Sequence, residues 1–465
     1  MPVNSFQDYP MAWRPSRAQL GDGPIYLALA ARLESDIVSG ALAAGTRLPP
    51  QRELADFLDL DFTTVTRAYG VCREKGLVRG VVGRGTFVIG GEAAAGSPAI
   101  ADCAVVQGFP EIGGRIIAAA AQKVLARESA ERLFSYAARD GQPNHLASGA
   151  RWLARCGVAA PVDCVSVFPG VQSALSTALL SLFRPGEALA VDRYTYANLI
   201  ELAHLAHIRL VAIAGDERGM VPEALREAAV KDAKIRGVYL MPTCANPTTI
   251  TLDEGRKDAL ARVCDTSDLM ILEDDAALVA AKRGKRTFCA RLPERTVYLA
   301  GSIRALAPGL RVTYVAAPAS CNAALRQGLH HLSIKASALE AAIVGELVTS
   351  GRAEEILAAK RAQARESNRV FDRLFGKDGG DPTRFFRTIP HPNTAGRGAG
   401  IEARLAQAGV RACHSDRFAV RTHDPDTFLR ISLSSEMDVK KLEAGLRTIR
   451  AVLARDDAPA GGPSR

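Results

Sequence analysis

The chain has 465 residues, 48% hydrophobic and 23% charged, a balance that reads as soluble and globular at a length that calls for two or three domains. Lys and Arg outnumber Asp and Glu by 9, which is compatible with a nucleic-acid partner and is weak support for one on its own. No run of about 18 apolar residues suggests a membrane partner, residues 1–19 lack the apolar core of a signal peptide, and the 9 cysteines form no C-x-x-C or Cys/His pattern, which points to reduced thiols in a cytoplasmic protein and to no metal site.

Residues 1–21 are expected to be an N-terminal arm and 22–91 a compact domain. Tyr26, Leu29, Leu33 and Ile37 repeat at helical spacing over Ile25–Val38, and Gly40 follows as a stop. The segment GTRLPPQRELADFLDL predicts a turn and a short helix packed by Leu54, Phe57 and Leu58. Asp61 is placed to cap a third helix through Val65, Ala68, Tyr69 and Cys72, ending near Gly76. Leu77-Val78 and Thr86–Val88 predict a hairpin around Gly83-Arg84-Gly85. A Gly-, Ala- and Ser-rich stretch beginning near Gly90 predicts a linker, assigned to 92–112.

From 113 to 455 the pattern changes. Apolar runs at 165–168, 188–192, 209–214, 237–242, 269–275 and 297–301 alternate with helical stretches, the signature of an α/β domain with a largely parallel sheet. Residues 320–455 read as mostly helical, with a late strand over Phe428–Leu433, and 456–465 as a flexible tail.

Three helices and a hairpin in about 70 residues suggest a winged helix-turn-helix. Thr63, Thr64, Thr66 and Arg67 open the third helix. Arg47 and Arg52 flank the second, Arg73 and Lys75 precede the hairpin, and Arg79 and Arg84 sit on it, so the candidate DNA contacts are Arg47, Arg52, Thr63, Thr64, Arg67, Arg79 and Arg84. A solvated basic face on a small helical domain would share this charge pattern. The ordered motif LPPQRELADFLDLDFTTVTRAY followed by GRGTFV resembles the GntR-type winged helix. It departs from that family at Phe62, where an Arg is usual, and in the acidic Asp59 and Asp61.

The second domain resembles the fold-type I, pyridoxal-phosphate-dependent aminotransferases; joined to a GntR-type head, this is the MocR architecture of transcription regulators. Gly170-Val171-Gln172-Ser173-Ala174-Leu175 follows a strand and opens a helix, as in that family's phosphate turn. The resemblance implies that Tyr196 stacks on the cofactor ring, Asn246 bonds the ring oxygen, Asp274 keeps the ring nitrogen protonated, Arg311 binds phosphate and Arg430 grips the carboxylate of a small-molecule effector. Each alone would pass as an ordinary turn, cap or ion pair; six in the correct order make chance a poor explanation.

Two residues, Arg304 and Ala277, break the pattern, and a neighbouring Ser-x-Ser is also disturbed. The lysine that the family uses to hold its cofactor covalently falls on Arg304, whose guanidinium stays protonated and is no amine nucleophile. The usual Tyr after the Asp is Ala277, and the Ser-x-Ser before the lysine reads Gly301-Ser302-Ile303. Lys282, Lys285 and Lys335 are the nearest lysines in sequence. No catalytic residue is therefore assigned. The expectation is a homodimeric MocR-like regulator of double-stranded DNA operators, with the large domain as sensor and dimerisation unit. Its pocket would hold pyridoxal 5'-phosphate non-covalently, a preformed amino-acid adduct of it or pyridoxamine phosphate, or an unrelated anion beside Arg304, Arg311 and Arg430, with an amino acid or vitamin B6 derivative as effector. An active aminotransferase with an added head is the main rival, and a purely structural dimerisation domain the other.

Overall fold

The computed structural model describes residues 11–17, 23–38, 41–42, 46–81, 85–88, 101–135, 142–275, 287–301, 306–307, 309–391, 398–421 and 426–456. They fall into two compact units, Met1–Pro98 and Ala99–Arg465.

In the first unit, helices α1 (Ile25–Val38), α2 (Gln51–Leu58) and α3 (Phe62–Glu74) precede strands β1 (Val78–Val81) and β2 (Gly85–Val88). α2 stops at Asp59, whose φ of 51° is left-handed, and Asp61 caps α3 by accepting the Thr63 N–H at 2.7 Å. Leu29, Leu33, Leu54, Leu58, Val65 and Tyr69 close one core. Trp13, expected in a free arm, is buried in that core, and its indole N–H donates to Asp36 Oδ2 at 2.9 Å. The arm is therefore shorter than 1–21, because an indole offers both a large apolar face and a single donor that α1 satisfies. β1 and β2 pair antiparallel, and residues 46–48 add a third strand-like edge through Leu48 N–H to Thr86 O (2.8 Å) and Val88 N–H to Thr46 O (2.9 Å).

The second unit is built on a seven-stranded sheet in the order Val165–Phe168, Thr313–Ala316, Thr296–Gly301, Met270–Asp274, Ile235–Leu240, Ala188–Asp192, Arg209–Ile213. All neighbours are parallel except Thr313–Ala316, which runs antiparallel to both of its own. The six apolar runs read from the sequence are the six parallel strands; the seventh was not anticipated. Its residues TYVA are all buried and therefore show no alternation of polar and apolar positions.

Successive side chains enter opposite layers. Leu189, Val191, Tyr239, Leu272, Val297 and Leu299 pack with helices Val171–Leu182, Ala197–Leu205 and Ala319–Ser333. Ala188, Ala190, Val238, Leu240 and Ile271 face helices Pro222–Lys231 and Glu254–Thr266. Along Met270–Asp274 this places Asp274 on the same face as Leu272 and helix Val171–Leu182.

The C-terminal portion is mostly helical, with the expected strand at Phe428–Ser432, and it adds short strands that the sequence did not show. Phe386–Pro390, Phe428–Ser432 and Cys413–His414 form an antiparallel three-stranded sheet beside helices Arg352–Phe375 and Val439–Asp456. Two-residue strands carry too few positions to show a period. Ala101–Asp102 pairs in parallel with Val410–Arg411, so residues 101–112 belong to this unit and the expected linker 92–112 ends sooner.

Candidate functional site

The first candidate surface lies on α2, α3 and the hairpin. Thr66 Oγ1 donates to Gln51 Oε1 at 2.9 Å, bracing α3 against α2, and buried Tyr69 Oη donates to Pro49 O at 3.0 Å. With one face fixed, Arg52, Thr63 and Arg67 stand exposed on the other, while Thr64 is half-buried. Thr63 and Arg67 are one helical turn apart and share a face. The Arg52 guanidinium lies 5.8 Å from the centre of the exposed Phe62 ring.

On the hairpin, Phe87 is paired on one side with Arg79 and on the other with Arg47. Residues paired directly across strands point to the same face, so two exposed arginines flank one aromatic ring. Gly85 leaves room for this row: a Cβ there would lie 3.0 Å from Arg47 Nε. Arg84 lies outside the described residues. Lys75, counted with the basic cluster from sequence, is drawn to Glu34 at 2.5 Å and contributes less free charge than its neighbours.

The second site forms at the C-terminal ends of the parallel strands, where open α/β sheets place their ligands. Gly170 follows Val165–Phe168, Tyr196 follows Ala188–Asp192, Asn246 follows Ile235–Leu240, and Asp274 ends its own strand. Arg311 precedes the antiparallel strand and so joins the same edge.

Gly170 caps helix Val171–Leu182 with φ 94° and ψ 162°, and a Cβ on it would fall 2.9 Å from Arg311 Nη2. The Arg311 guanidinium thus lies over the glycine, at the mouth of a helix whose first N–H groups point outward. The Arg311 N–H is tied to Glu340 Oε2 at 3.0 Å. Gly301 approaches the same turn, since its Cβ would meet Val171 Cγ2 at 2.7 Å. Val171 is half-buried and Gln172 exposed. Arg304, Ala277, Lys282 and Lys285 lie outside the described residues. Lys335 donates to the Ser135 carbonyl.

Asp274 is 3% exposed, and Tyr239 Oη donates to its Oδ2 at 2.8 Å from the adjacent strand. Sequence reasoning missed Tyr239, which sits inside an apolar run with nothing to single it out. The flanking acids serve the fold. Glu273 accepts the N–H groups of Phe288 (3.0 Å) and Cys289 (2.9 Å), and burial pushes its carboxyl up to about 8. Asp275 accepts from Tyr298 Oη at 2.8 Å.

Arg430 is buried, with Nη1 donating to Asn246 Oδ1 at 2.9 Å and Nη2 to the Ala104 carbonyl; its guanidinium lies 4.8 Å from the Phe418 ring centre. The structure thus joins two residues that the sequence placed separately. Tyr196 is half-buried at the start of helix Ala197–Leu205 and accepts from Asn198 Nδ2 at 3.1 Å.

Residues 25–88 match the bacterial regulatory proteins of the gntR family, and residues 111–449 match aminotransferase class I and II. The chain is 32% identical over 463 residues to the HTH-type transcriptional regulator YdeF of Bacillus subtilis, covering 97% of this chain and 99% of that one. The chain belongs to the MocR-like HTH-type transcription regulators. Another relative of this MocR-like chain is PtsJ of Salmonella typhimurium, a vitamin B6 salvage pathway transcriptional repressor. It is 26% identical over 309 residues, or 64% of this chain and 69% of its own. Among solved structures, Pyrococcus horikoshii kynurenine aminotransferase superposes with a TM-score of 0.70 at 19% identity, over 78% of this chain and 92% of that one. LysN, the α-aminoadipate aminotransferase of Thermus thermophilus, does so at 0.67 and 22%, over 76% and 92%. The large unit therefore has the aminotransferase fold. Among the described residues no helix is long and apolar enough to cross a membrane, and no cluster of metal-binding side chains occurs.

Proposed function

We propose that this protein is a DNA-binding transcription regulator whose large unit senses a small molecule and does not transaminate. The observation that carries the reading is the union, in one chain, of an exposed Arg47–Phe87–Arg79 row on a GntR-type head with a cofactor cradle whose lysine position holds Arg304. Arg47, Arg52, Thr63, Thr64, Arg67, Arg79 and Arg84 meet phosphates and base edges.

The residues present suit pyridoxal 5'-phosphate. Gly170 leaves a gap that a Cβ would fill, and Arg311 lies over it to receive phosphate with Val171, Gln172 and Ser173. Asp274 offers a buried carboxylate for the ring nitrogen, Asn246 an amide for the ring oxygen, and Tyr196 a face for stacking. When bound, the cofactor supplies an electron-withdrawing ring. Without a lysine at 304 it is held by these contacts alone. Arg430 takes the carboxylate of an amino acid, free or joined to a vitamin B6 derivative. PtsJ's role in vitamin B6 salvage supports that choice of effector class. The large units pair into a homodimer, and ligand binding biases the arrangement of the heads. The protein works in the cytoplasm, with the DNA.

Two measurements test this. Full-length protein should shift promoter fragments in a salt-dependent way, and Arg67→Ala or Arg79→Ala should weaken the shift; no shift of any fragment at low salt overturns the regulator reading. Pyridoxal phosphate should bind reversibly, with no borohydride-fixed adduct in the wild type and one in Arg304→Lys. Sustained transamination proportional to protein would instead establish the enzyme reading.

A further inference from the structure

Beside the cofactor cradle, and sharing no predicted ligand with it, lies a cavity of about 310 Å³. Its size is at the lower end of the roughly 300–1,000 Å³ span of small-molecule pockets. One wall is apolar, made by Leu240, Met241, Ile250 and Leu252. The lining also includes four acidic residues, Asp192, Asp216, Glu217 and Asp426, and one arginine, Arg193.

These acids are not equivalent. Asp216 is held by Arg256 Nη2 at 2.6 Å and by the Arg218 N–H at 2.8 Å. Asp426 faces Arg193 at 3.4 Å, and its carbonyl accepts from Tyr194 Oη at 2.9 Å. Glu217 is exposed. Asp192 ends its strand partly buried, and among the described residues nothing pairs with its carboxylate. Burial alone pushes that carboxyl up to about 7, so the fold holds an ionisable acid in a dehydrating place without compensation.

We propose that this cavity is a second ligand site, which takes a small organic cation: an amidinium or protonated amine on an apolar ring or short chain. The cationic head meets Asp192, and the body lies on the Leu240–Leu252 wall. An anionic head would meet Asp192 and Glu217, which no described arginine offsets, and a neutral one would leave Asp192 unpaired. The cavity is also lined by Ala245 and Thr248, which bracket Asn246, so an occupant presses on the loop whose amide is bonded to Arg430. This site stands independently of the regulator reading.

Calorimetry on the full-length protein near pH 8, where Asp192 is charged, tests it. Benzamidine serves as probe because it does not condense with the pyridoxal aldehyde; benzamide and benzoate are the neutral and anionic controls. Benzamidine should bind saturably and at least about tenfold more tightly than benzamide. Benzoate should not bind, and excess pyridoxal phosphate should not displace the probe. Asp192→Asn should weaken benzamidine to the level of benzamide. Absent saturable binding, a benzamidine-to-benzamide ratio near one, equal affinity in Asp192→Asn, or displacement by pyridoxal phosphate would each overturn the proposal. The wild-type ratio decides even if the variant fails to fold.

Discussion

Arg430 Nη1 donates to Asn246 Oδ1 at 2.9 Å, a buried bond that links two residues 184 positions apart in the chain. Asn246 accepts through Oδ1, so its Nδ2 donor stays available for the ring oxygen of the proposed cofactor while Arg430 keeps donors for the proposed effector carboxylate. A double-mutant cycle with Asn246→Ala and Arg430→Met should give a coupling of about 1.5–3 kcal/mol in urea unfolding, since the bond is charge-assisted and buried. Additive effects would mean that the two side chains do not act as a pair.

Gly170→Ala tests the cradle. Its φ of 94° with ψ 162° is a region closed to side chains, and the added methyl would collide with Arg311. The expected cost is about 1–3 kcal/mol in stability. Pyridoxal phosphate affinity should fall at least about tenfold, because the guanidinium is displaced. Unchanged affinity would remove Gly170 and Arg311 from the phosphate site.

Tyr239→Phe keeps the ring and removes the 2.8 Å bond to Asp274. Stability should drop by about 1–3 kcal/mol. The absorbance of bound pyridoxal phosphate should also shift, because the carboxylate proposed for the ring nitrogen loses a hydrogen-bond donor. A stability loss with an unaltered spectrum would confine Tyr239 to a packing role.

Trp13→Phe should destabilise the head by about 1–3 kcal/mol, since Asp36 loses its buried indole donor. Hydrogen exchange in α1 of the full chain reads this directly. Protection unchanged from wild type would return Trp13 to the free arm that the sequence suggested.

Glu273 offers a pH test. Its folded carboxyl is raised to about 8, chiefly by burial, while an unfolded Glu titrates near its ordinary value of about 4.3. Between these limits the native state holds a proton that the unfolded state has released, so stability falls as pH rises through that window. Glu273→Gln should flatten the decline in melting temperature over that range, and an unchanged slope would show that Glu273 does not titrate there.

Read by itself, the sequence determined the two domain types and the six parallel strands, and it nominated the candidate ligands. Those features are local: Asp61 capping a helix, alternating or continuous apolar runs, and glycine turns at strand ends. It did not reveal the antiparallel strand Thr313–Ala316, whose four buried residues carry no period, or Tyr239, an apolar-run residue until Asp274 is set beside it. Tertiary structure alone decided the Arg430–Asn246 bond, the Arg47–Phe87–Arg79 row and the uncompensated Asp192. Each depends on segments distant in sequence meeting at one sheet edge or hairpin, and the strength of a charge or hydrogen bond there is set by the water that the fold excludes.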